Sequence, residues 1–164
     1  VQVTWENAPI TQPPKKSNTA LLHEKAFVRV HAVPSGDTEI RLFGIPITEN
    51  CGSEIDYMML RRNAKSTVFA TVQEPWRESS APKVRSLRSL PVKAGKKPVD
   101  DSEAYALEVT RMNGVKEVFF VNYAQGPKTV GRVITDARVA YWKVAANGAV
   151  SGQTFTDGAA FRAP

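Results

Sequence analysis

An alternation of apolar and polar residues with a period of two recurs along most of the chain, and this pattern most constrains its fold. In "AFVRVHAV", Val28, Val30 and Ala32 fall on one face and the residues between them fall on the other. Successive side chains of a β-strand point to opposite faces, so this alternation is typical of a half-buried strand. No segment shows the period of an amphipathic helix. The sequence therefore predicts an all-β fold.

Turn signals between these runs predict hairpins. "PSGD" separates "AFVRVHAV" from "TEIRLF", and "NAKS" separates "IDYMMLRR" from "TVFATVQE". Asn113-Gly114 and Asn147-Gly148 join two further pairs of runs, and Asn-Gly favours a type I′ turn because both residues tolerate a positive φ. Roughly ten strands spaced by about 8–12 residues are typical of two packed antiparallel sheets. We expect an antiparallel β-sandwich, with one short helical turn near "TDGAAF".

The length of the chain suits one domain over residues 1–164. It has 164 residues, of which 42% are hydrophobic, and domains usually contain about 100–150 residues. No run of about 18 apolar residues occurs, so no membrane span is expected. The chain begins at Val1 and ends at "FRAP", and we expect it to be an excised or processed piece of something longer. Cys51 is the single cysteine, so we expect it to be a small buried apolar residue.

Enzyme and metal signatures are missing from the sequence. It contains no G-x-S-x-G, P-loop, G-x-G-x-x-G or H-E-x-x-H motif. His23 and His31 are the two histidines, and we expect His31 to be exposed on a strand rather than catalytic or metal-bound. Asp100, Asp101 and Glu103 could bind calcium through their oxygens, but without a D-x-D-x-D-G loop a turn before a strand is favoured. We therefore predict no catalytic residue, no metal ligand and no cofactor.

One segment is strongly basic. From Ser79 to Val99 it carries six basic residues and no acidic one. The charge of this segment, +6, equals the net charge of the whole chain. Arginine offers a planar fork to carboxylate or sulfate groups, and lysine offers a point charge. The predicted ligand-binding residues are Trp76, Arg77, Lys83, Arg85, Arg88, Lys93, Lys96 and Lys97. The alternative is a solvated surface, since lysines also protect edge strands from pairing.

Aromatic residues and strand geometry refine this prediction. Trp5, Trp76 and Trp142 are the candidate platforms on which a sugar ring would stack, and Trp142 shares its strand with Tyr141, so one of these two must face away from the core. In an extended strand, Val84 and Leu90 would point to one face together with Arg88, which predicts a strand end or a bend at Arg88. Nucleic-acid binding is not expected, because no RNP-like motif or recognition helix is visible.

Two stretches carry a resemblance to a known family. "IDYMMLRRNAKSTVFATVQEPWRESSAPKVRSLRSLPV" combines a strand that ends near an Arg-Arg pair, a short turn and a second strand, and "EAYALEVTRMNGVKEVFF" adds two more strands. In this pattern residues 35 to 124 resemble the C-terminal β-sheet region of heparinase II/III-like polysaccharide lyases. These enzymes cleave acidic polysaccharides by β-elimination, with catalytic residues mainly on an α-helical toroid and an adjoining sandwich, so none is carried over. The resemblance implies a detached accessory domain, a catalytic domain of the parent enzyme as partner, and a secreted or periplasmic location.

Several functions remain open from the sequence. The leading hypothesis is a non-catalytic carbohydrate-binding module for an anionic polysaccharide with uronate or sulfate groups. The second is a structural β-domain that supports a lyase body and has no ligand of its own. The third is a residual lyase in which Tyr57, Tyr105, Tyr123 or Tyr141 acts as the base, and a nucleic-acid binder comes fourth.

Overall fold

The computed structural model describes the backbone of residues 2–6, 26–33, 38–46, 54–158 and 160–163, and most of the side chains within them. The regular elements in these ranges are all β-strands, with no helix among them, and the all-β prediction is confirmed. The chain divides into two compact units, an N-terminal unit Val1–Ala81 and a C-terminal unit Pro82–Pro164. The single-domain interpretation stays a prediction. His23 and Cys51 lie outside the described residues.

The N-terminal unit contains two antiparallel sheets. Its strands are β1 Gln2–Glu6, β2 Ala26–Ala32, β3 Glu39–Pro46, β4 Glu54–Arg61 and β5 Thr71–Arg77. One sheet has the order β1-β2-β5, and β3 pairs with β4 in the other. Two predicted hairpins are therefore wrong, since β2 does not pair with β3 and β4 does not pair with β5.

Arg62 explains why β4 and β5 do not form a tight hairpin. Its Nε donates to Thr38 Oγ1 at 2.6 Å, its Nη1 donates to the carbonyl of Val68 at 2.6 Å, and its Nη2 donates to the carbonyl of Val33 at 3.4 Å. The Val33 amide in turn donates to the carbonyl of Ala70 at 3.2 Å. These bonds tie the connection after β4 to the end of β2, so β5 starts beside β2.

His31 is buried, and the prediction of an exposed strand histidine is wrong. It lies on β2, the central strand of its sheet, and is 4% exposed. Its Nε2 donates to Glu74 Oε2 on β5 at 3.0 Å. Val30 and Ala32, which point to the opposite face, are buried too. Both faces of this sheet are covered here, and the alternation in one strand does not reveal whether its second face is covered.

The C-terminal unit contains two five-stranded antiparallel sheets. The first, which we call the long-strand sheet, has the order β14-β13-β10-β9-β6, and the second, the short-strand sheet, has the order β15-β12-β11-β7-β8. The strands are β6 Val84–Leu90, β7 Val92–Ala94, β8 Lys97–Pro98, β9 Ala104–Arg111, β10 Lys116–Asn122, β11 Lys128–Val130, β12 Val133–Thr135, β13 Val139–Val144, β14 Val150–Thr156 and β15 Phe161–Arg162.

The two hairpins predicted from Asn-Gly pairs are confirmed, because β9 pairs with β10 and β13 pairs with β14. The turn type differs from the expectation. In these two turns the glycines, Gly114 and Gly148, have a positive φ of 83° each, whereas Asn113 and Asn147 do not. Each asparagine Oδ1 instead accepts a bond from the amide two residues later, at 3.2 Å and 3.0 Å. This geometry fits a type I turn followed by a left-handed glycine.

The two sheets of the C-terminal unit pack face to face around one core. Phe120 and Trp142 of the long-strand sheet and Val130 and Val133 of the short-strand sheet belong to the same buried cluster. The Trp142 ring meets Phe161 of β15 edge to face, with centroids 5.6 Å apart. Burial of a large apolar side chain contributes about 1.5–3 kcal/mol. The unit is thus an antiparallel β-sandwich, and Trp142 is a core residue rather than a stacking platform.

The basic segment passes from one sheet to the other. Only Pro91 separates β6 of the long-strand sheet from β7 of the short-strand sheet. Within β6 the register shifts between Val84 and Ser86, so Arg85 forms a bulge. A bulge reverses the alternation beyond it, which places Val84 and Leu90 on opposite faces. The predicted common face for these two residues is therefore wrong, and the bend lies at Arg85 rather than at Arg88.

The segment "TDGAAF" connects β14 and β15 and forms no helical turn in its described residues. Thr135 Oγ1 donates to the carbonyl of Ala160 at 2.9 Å, and the Ala160 amide donates to Asp136 Oδ1 at 2.8 Å. Gly158 lies directly against the backbone of Ala137. The connection between β12 and β13 thus contacts this segment at Gly158 and Ala160.

Candidate functional site

The net positive charge of the protein lies in the C-terminal unit. That unit contains 13 Lys and Arg against 7 Asp and Glu, while the N-terminal unit contains 9 of each. The net charge is therefore +6 for the C-terminal unit and zero for the N-terminal unit. The β-sandwich of the C-terminal unit is therefore the part of the protein whose net charge would attract an anionic partner.

The β7–β8 hairpin presents three of the predicted lysines. Gly95, with a φ of 61°, occupies the first position of its two-residue turn, where type II′ geometry requires glycine. Val92 is buried in the core, so Lys93 points outward by alternation. Lys93, Lys96 and Lys97 are all exposed, and within the described part of the chain no ion pair is found for them. Three ammonium groups thus face solvent within five consecutive residues.

Arg162 extends this surface across the short-strand sheet. Lys93 pairs with Thr129, Thr129 pairs with Ile134, and Ile134 pairs with Arg162, so these four residues form one row. Neighbouring strands lie about 4.8 Å apart, which puts the main chains of Lys93 and Arg162 about 14 Å apart. We call Lys93, Lys96, Lys97 and Arg162 the cationic surface. The sequence analysis missed Arg162, because β15 has only two residues and gives no alternation to recognise.

Arg88 is committed to a carboxylate of the protein. Its Nε and Nη2 donate to the two oxygens of Glu108 at 2.7 Å and 3.1 Å, and the Glu108 side chain is only 8% exposed. Lys116 Nζ lies 4.0 Å from the same carboxylate. The hydrogen bonds that Arg88 donates to Glu108, and then the charge of Glu108, raise the pKa of Arg88 above its ordinary value. Arg88 therefore neutralises a buried carboxylate, and its Nε and Nη2 are directed at Glu108 rather than at a ligand.

Lys83 and Arg85 lie at the start of β6 and are exposed. The carbonyl of Lys83 accepts a bond from the Met112 amide at 2.8 Å, which fixes the backbone here. β6 is the edge strand of the long-strand sheet, whereas the lysine hairpin belongs to the short-strand sheet. The predicted cations of the C-terminal unit are thus shared between two sheets.

Trp76 and Arg77 end β5 in the N-terminal unit. The half-buried Trp76 ring stacks on Phe27 of β2, with centroids 5.2 Å apart and planes 14° apart. The guanidinium of Arg29 lies 4.9 Å from the centre of the same ring. Ser80 Oγ bonds to both the amide and the carbonyl of Arg77, at 3.2 Å and 3.0 Å. Trp76 is held by its own sheet, and the side chain of Trp5 lies outside the described residues.

Tyr141 lies on the outer face of β13, as expected from its position beside the buried Trp142. Its hydroxyl donates to Glu117 Oε1 at 3.2 Å, and Glu117 Oε2 accepts from Arg111 Nε at 2.6 Å. Burial and the neighbouring Glu117 raise the pKa of Tyr141. A catalytic base needs a pKa near the working pH, so this environment is unfavourable for the lyase role considered for Tyr141. The side chain of Tyr57 is outside the described residues.

The acidic residues before β9 form a turn. Asp100 Oδ1 accepts bonds from the Ser102 amide at 2.9 Å and from Ser102 Oγ at 2.6 Å, and the Glu103 amide donates to the carbonyl of Asp100 at 2.9 Å. The bonds from Ser102 lower the pKa of Asp100. In the ranges that the structure describes, no three His, Cys, Asp or Glu side chains are grouped to hold a metal ion. Nor do those ranges contain a helix with the length and apolar character needed to cross a membrane.

In comparisons with family models, with curated proteins and with solved structures, no match to this chain was found. The resemblance to the C-terminal region of heparinase II/III-like lyases therefore stays a prediction.

Proposed function

We propose that the protein is a non-catalytic module that binds an anionic polysaccharide, with uronate or sulfate groups, through the cationic surface of its C-terminal unit. One observation carries this proposal: Lys93, Lys96, Lys97 and Arg162 are exposed on the unit that holds all of the net charge. From the sequence resemblance we further propose that it is a secreted or periplasmic accessory module of a polysaccharide lyase.

The arrangement of the cations supports a repeating ligand. A single exposed ion pair contributes only about 0–1 kcal/mol, so one small anion would be held weakly at any of these side chains. A polymer can contact the lysine hairpin and Arg162 together, because both belong to one sheet. The main chains of Lys93 and Arg162 are about 14 Å apart. Several weak contacts then add along one chain of sugars.

A structural module without a ligand is the second candidate. Both β6 and β8 are edge strands, and cationic side chains on an edge oppose pairing with a strand of another molecule. In this case Arg85 and Lys97 would keep the sandwich monomeric and would contact no glycan.

Affinity electrophoresis of the full chain separates the two candidates. Gels would contain alginate, pectin, chondroitin sulfate, heparin or a neutral glucan. We expect retardation in at least one acidic gel, and loss of that retardation in Lys93→Ala/Lys96→Ala/Lys97→Ala, because the charges that meet the polymer are gone. Arg88→Ala is unsuitable for this test, since it would also remove the two hydrogen bonds that the buried Glu108 carboxylate accepts from Arg88.

A charge-matched control is available outside the cationic surface. Arg61→Ala/Lys65→Ala/Arg138→Ala removes three positive charges from exposed positions and should be retarded like the unmodified protein. Free migration in every acidic gel would favour the structural module. Equal loss in both triple variants would show that net charge alone, and not this surface, causes the retardation.

A further inference from the structure

The outer face of the long-strand sheet carries most of the described tyrosines of the protein. Phe119 of β10 pairs with Tyr141 of β13, and Val121 of β10 pairs with Tyr105 of β9. The intervening residues of β10 and β13 are buried in the core, so these four side chains point away from it. Tyr123 follows β10 on the same alternation. We call Tyr105, Phe119, Tyr123 and Tyr141 the aromatic face.

Part of the aromatic face is open to solvent. Phe119 is 42% exposed and Tyr123 is 62% exposed, and Val139, which pairs with Val121 between them, is 45% exposed. Phe119 and Tyr123 are four positions apart in the chain, which is about 13 Å at the rise of an extended strand. The rings of Phe119 and Tyr141 lie 5.0 Å apart with planes tilted by 47°. The exposed rings therefore form a short track along β10.

Hydrogen-bonding groups border this track. Glu117 accepts from Tyr141 and Arg111, and a carboxylate has about four acceptor positions, so it retains acceptor capacity. Lys143 pairs with Glu117 across the strands and is exposed. The charges of Arg111 and Glu117 cancel, so Lys143 is the one uncompensated cation among these three residues, against four cations on the cationic surface.

We propose that the aromatic face is a second binding site, which holds a neutral polysaccharide. The C–H face of a sugar ring packs on an aromatic ring, while its hydroxyl groups need donors and acceptors beside that ring, and this face supplies both. The exposed track is about 13 Å long and two strands wide. That area is far below the roughly 800 Å² per partner of a stable protein interface, so a glycan chain fits better than a protein.

The two sites lie on opposite sides of one sandwich. Lys93 and Arg162 of the cationic surface are on the outer face of the short-strand sheet, and the aromatic face is on the outer face of the long-strand sheet, with the shared core between them. One molecule would hold an acidic chain on one side and a neutral chain on the other. The second site goes beyond the proposed function, since it uses other residues and an uncharged ligand.

The test is affinity electrophoresis of the full chain in gels that contain hydroxyethylcellulose, galactomannan, xyloglucan or a soluble β-glucan. About 1 M NaCl in the sample and gel would suppress charge-based binding, since the Debye length is then about 3 Å. We expect retardation in at least one gel and a loss of affinity of at least about fivefold in Phe119→Ala/Tyr123→Ala. Ile134→Ala, an exposed apolar residue of the other sheet, should migrate like the unmodified protein.

Each other outcome overturns the second site. Free migration of the unmodified protein in all four gels, or retardation that Phe119→Ala/Tyr123→Ala does not change, shows that this face holds no such glycan. If the unmodified protein self-associates in sedimentation and Phe119→Ala/Tyr123→Ala does not, the aromatic face is a protein interface instead. Tyr123→Ala alone repeats the test at the more exposed ring if the double variant unfolds. Retardation in acidic gels at low salt reports separately on the cationic surface, so failure of either site is distinguishable.

Discussion

The burial of Glu108 decides the role of Arg88. Arg88 is itself largely exposed, yet both of its bonded nitrogens are directed at one carboxylate on the neighbouring strand. The sequence analysis grouped it with the ligand-binding cations because the six basic residues look alike in the sequence. Glu108 is far from Arg88 in sequence, and only the pairing of β6 with β9 shows that the two meet.

We predict that Arg88→Ala lowers the free energy of unfolding by about 1–3 kcal/mol, because a buried carboxylate loses its hydrogen-bond donors. Arg85→Ala, at the neighbouring exposed bulge, should change it by less than about 0.5 kcal/mol. Urea denaturation of both variants measures the difference. Equal stability of the two variants would contradict the assigned role of the Arg88–Glu108 pair.

At the scale of elements, local signals predicted turns better than strand partners. The two Asn-Gly hairpins form because each joins strands that are adjacent in sequence and a left-handed glycine suits the turn. The strands that flank "PSGD" and "NAKS" do not pair with each other, and hydrogen bonds from Arg62 link the segment after β4 to Val33 and Thr38 instead. A turn signal states that the chain reverses, and it does not state which strand it then joins.

Gly158 provides a prediction for the connection between β14 and β15. A Cβ atom at this position would lie 2.6 Å from the backbone nitrogen of Ala137, which is itself buried. Gly158→Ala should therefore destabilise the protein by about 1–3 kcal/mol, the usual cost of overpacking. Thermal unfolding would measure it. Asp157→Gly, at the preceding residue with a φ of 52°, should cost little, since glycine adopts this conformation readily; a larger loss for that variant would contradict the explanation.

At the scale of the whole molecule, the charge is divided unequally between the two units, and the excess lies on the β-sandwich. Binding of acidic polysaccharides should therefore weaken steadily as NaCl rises from about 0.05 M to about 1 M, because the Debye length falls from more than 10 Å to about 3 Å. Electrophoretic retardation at each salt concentration gives the dependence. Retardation in acidic gels that is the same across this range would contradict a site made of exposed cations.

The sequence by itself determined the all-β class, the two Asn-Gly hairpins and the exposure of the lysines in the β7–β8 hairpin. These properties depend on neighbouring residues, whose alternation and turn preferences are visible in a short stretch. The tertiary structure decided that His31 is buried, that Arg88 pairs with Glu108, that Arg162 joins Lys93 and that the tyrosines share a face. Each of these depends on the order and register of strands that are distant in sequence, and a single strand carries no information about which neighbour will cover it.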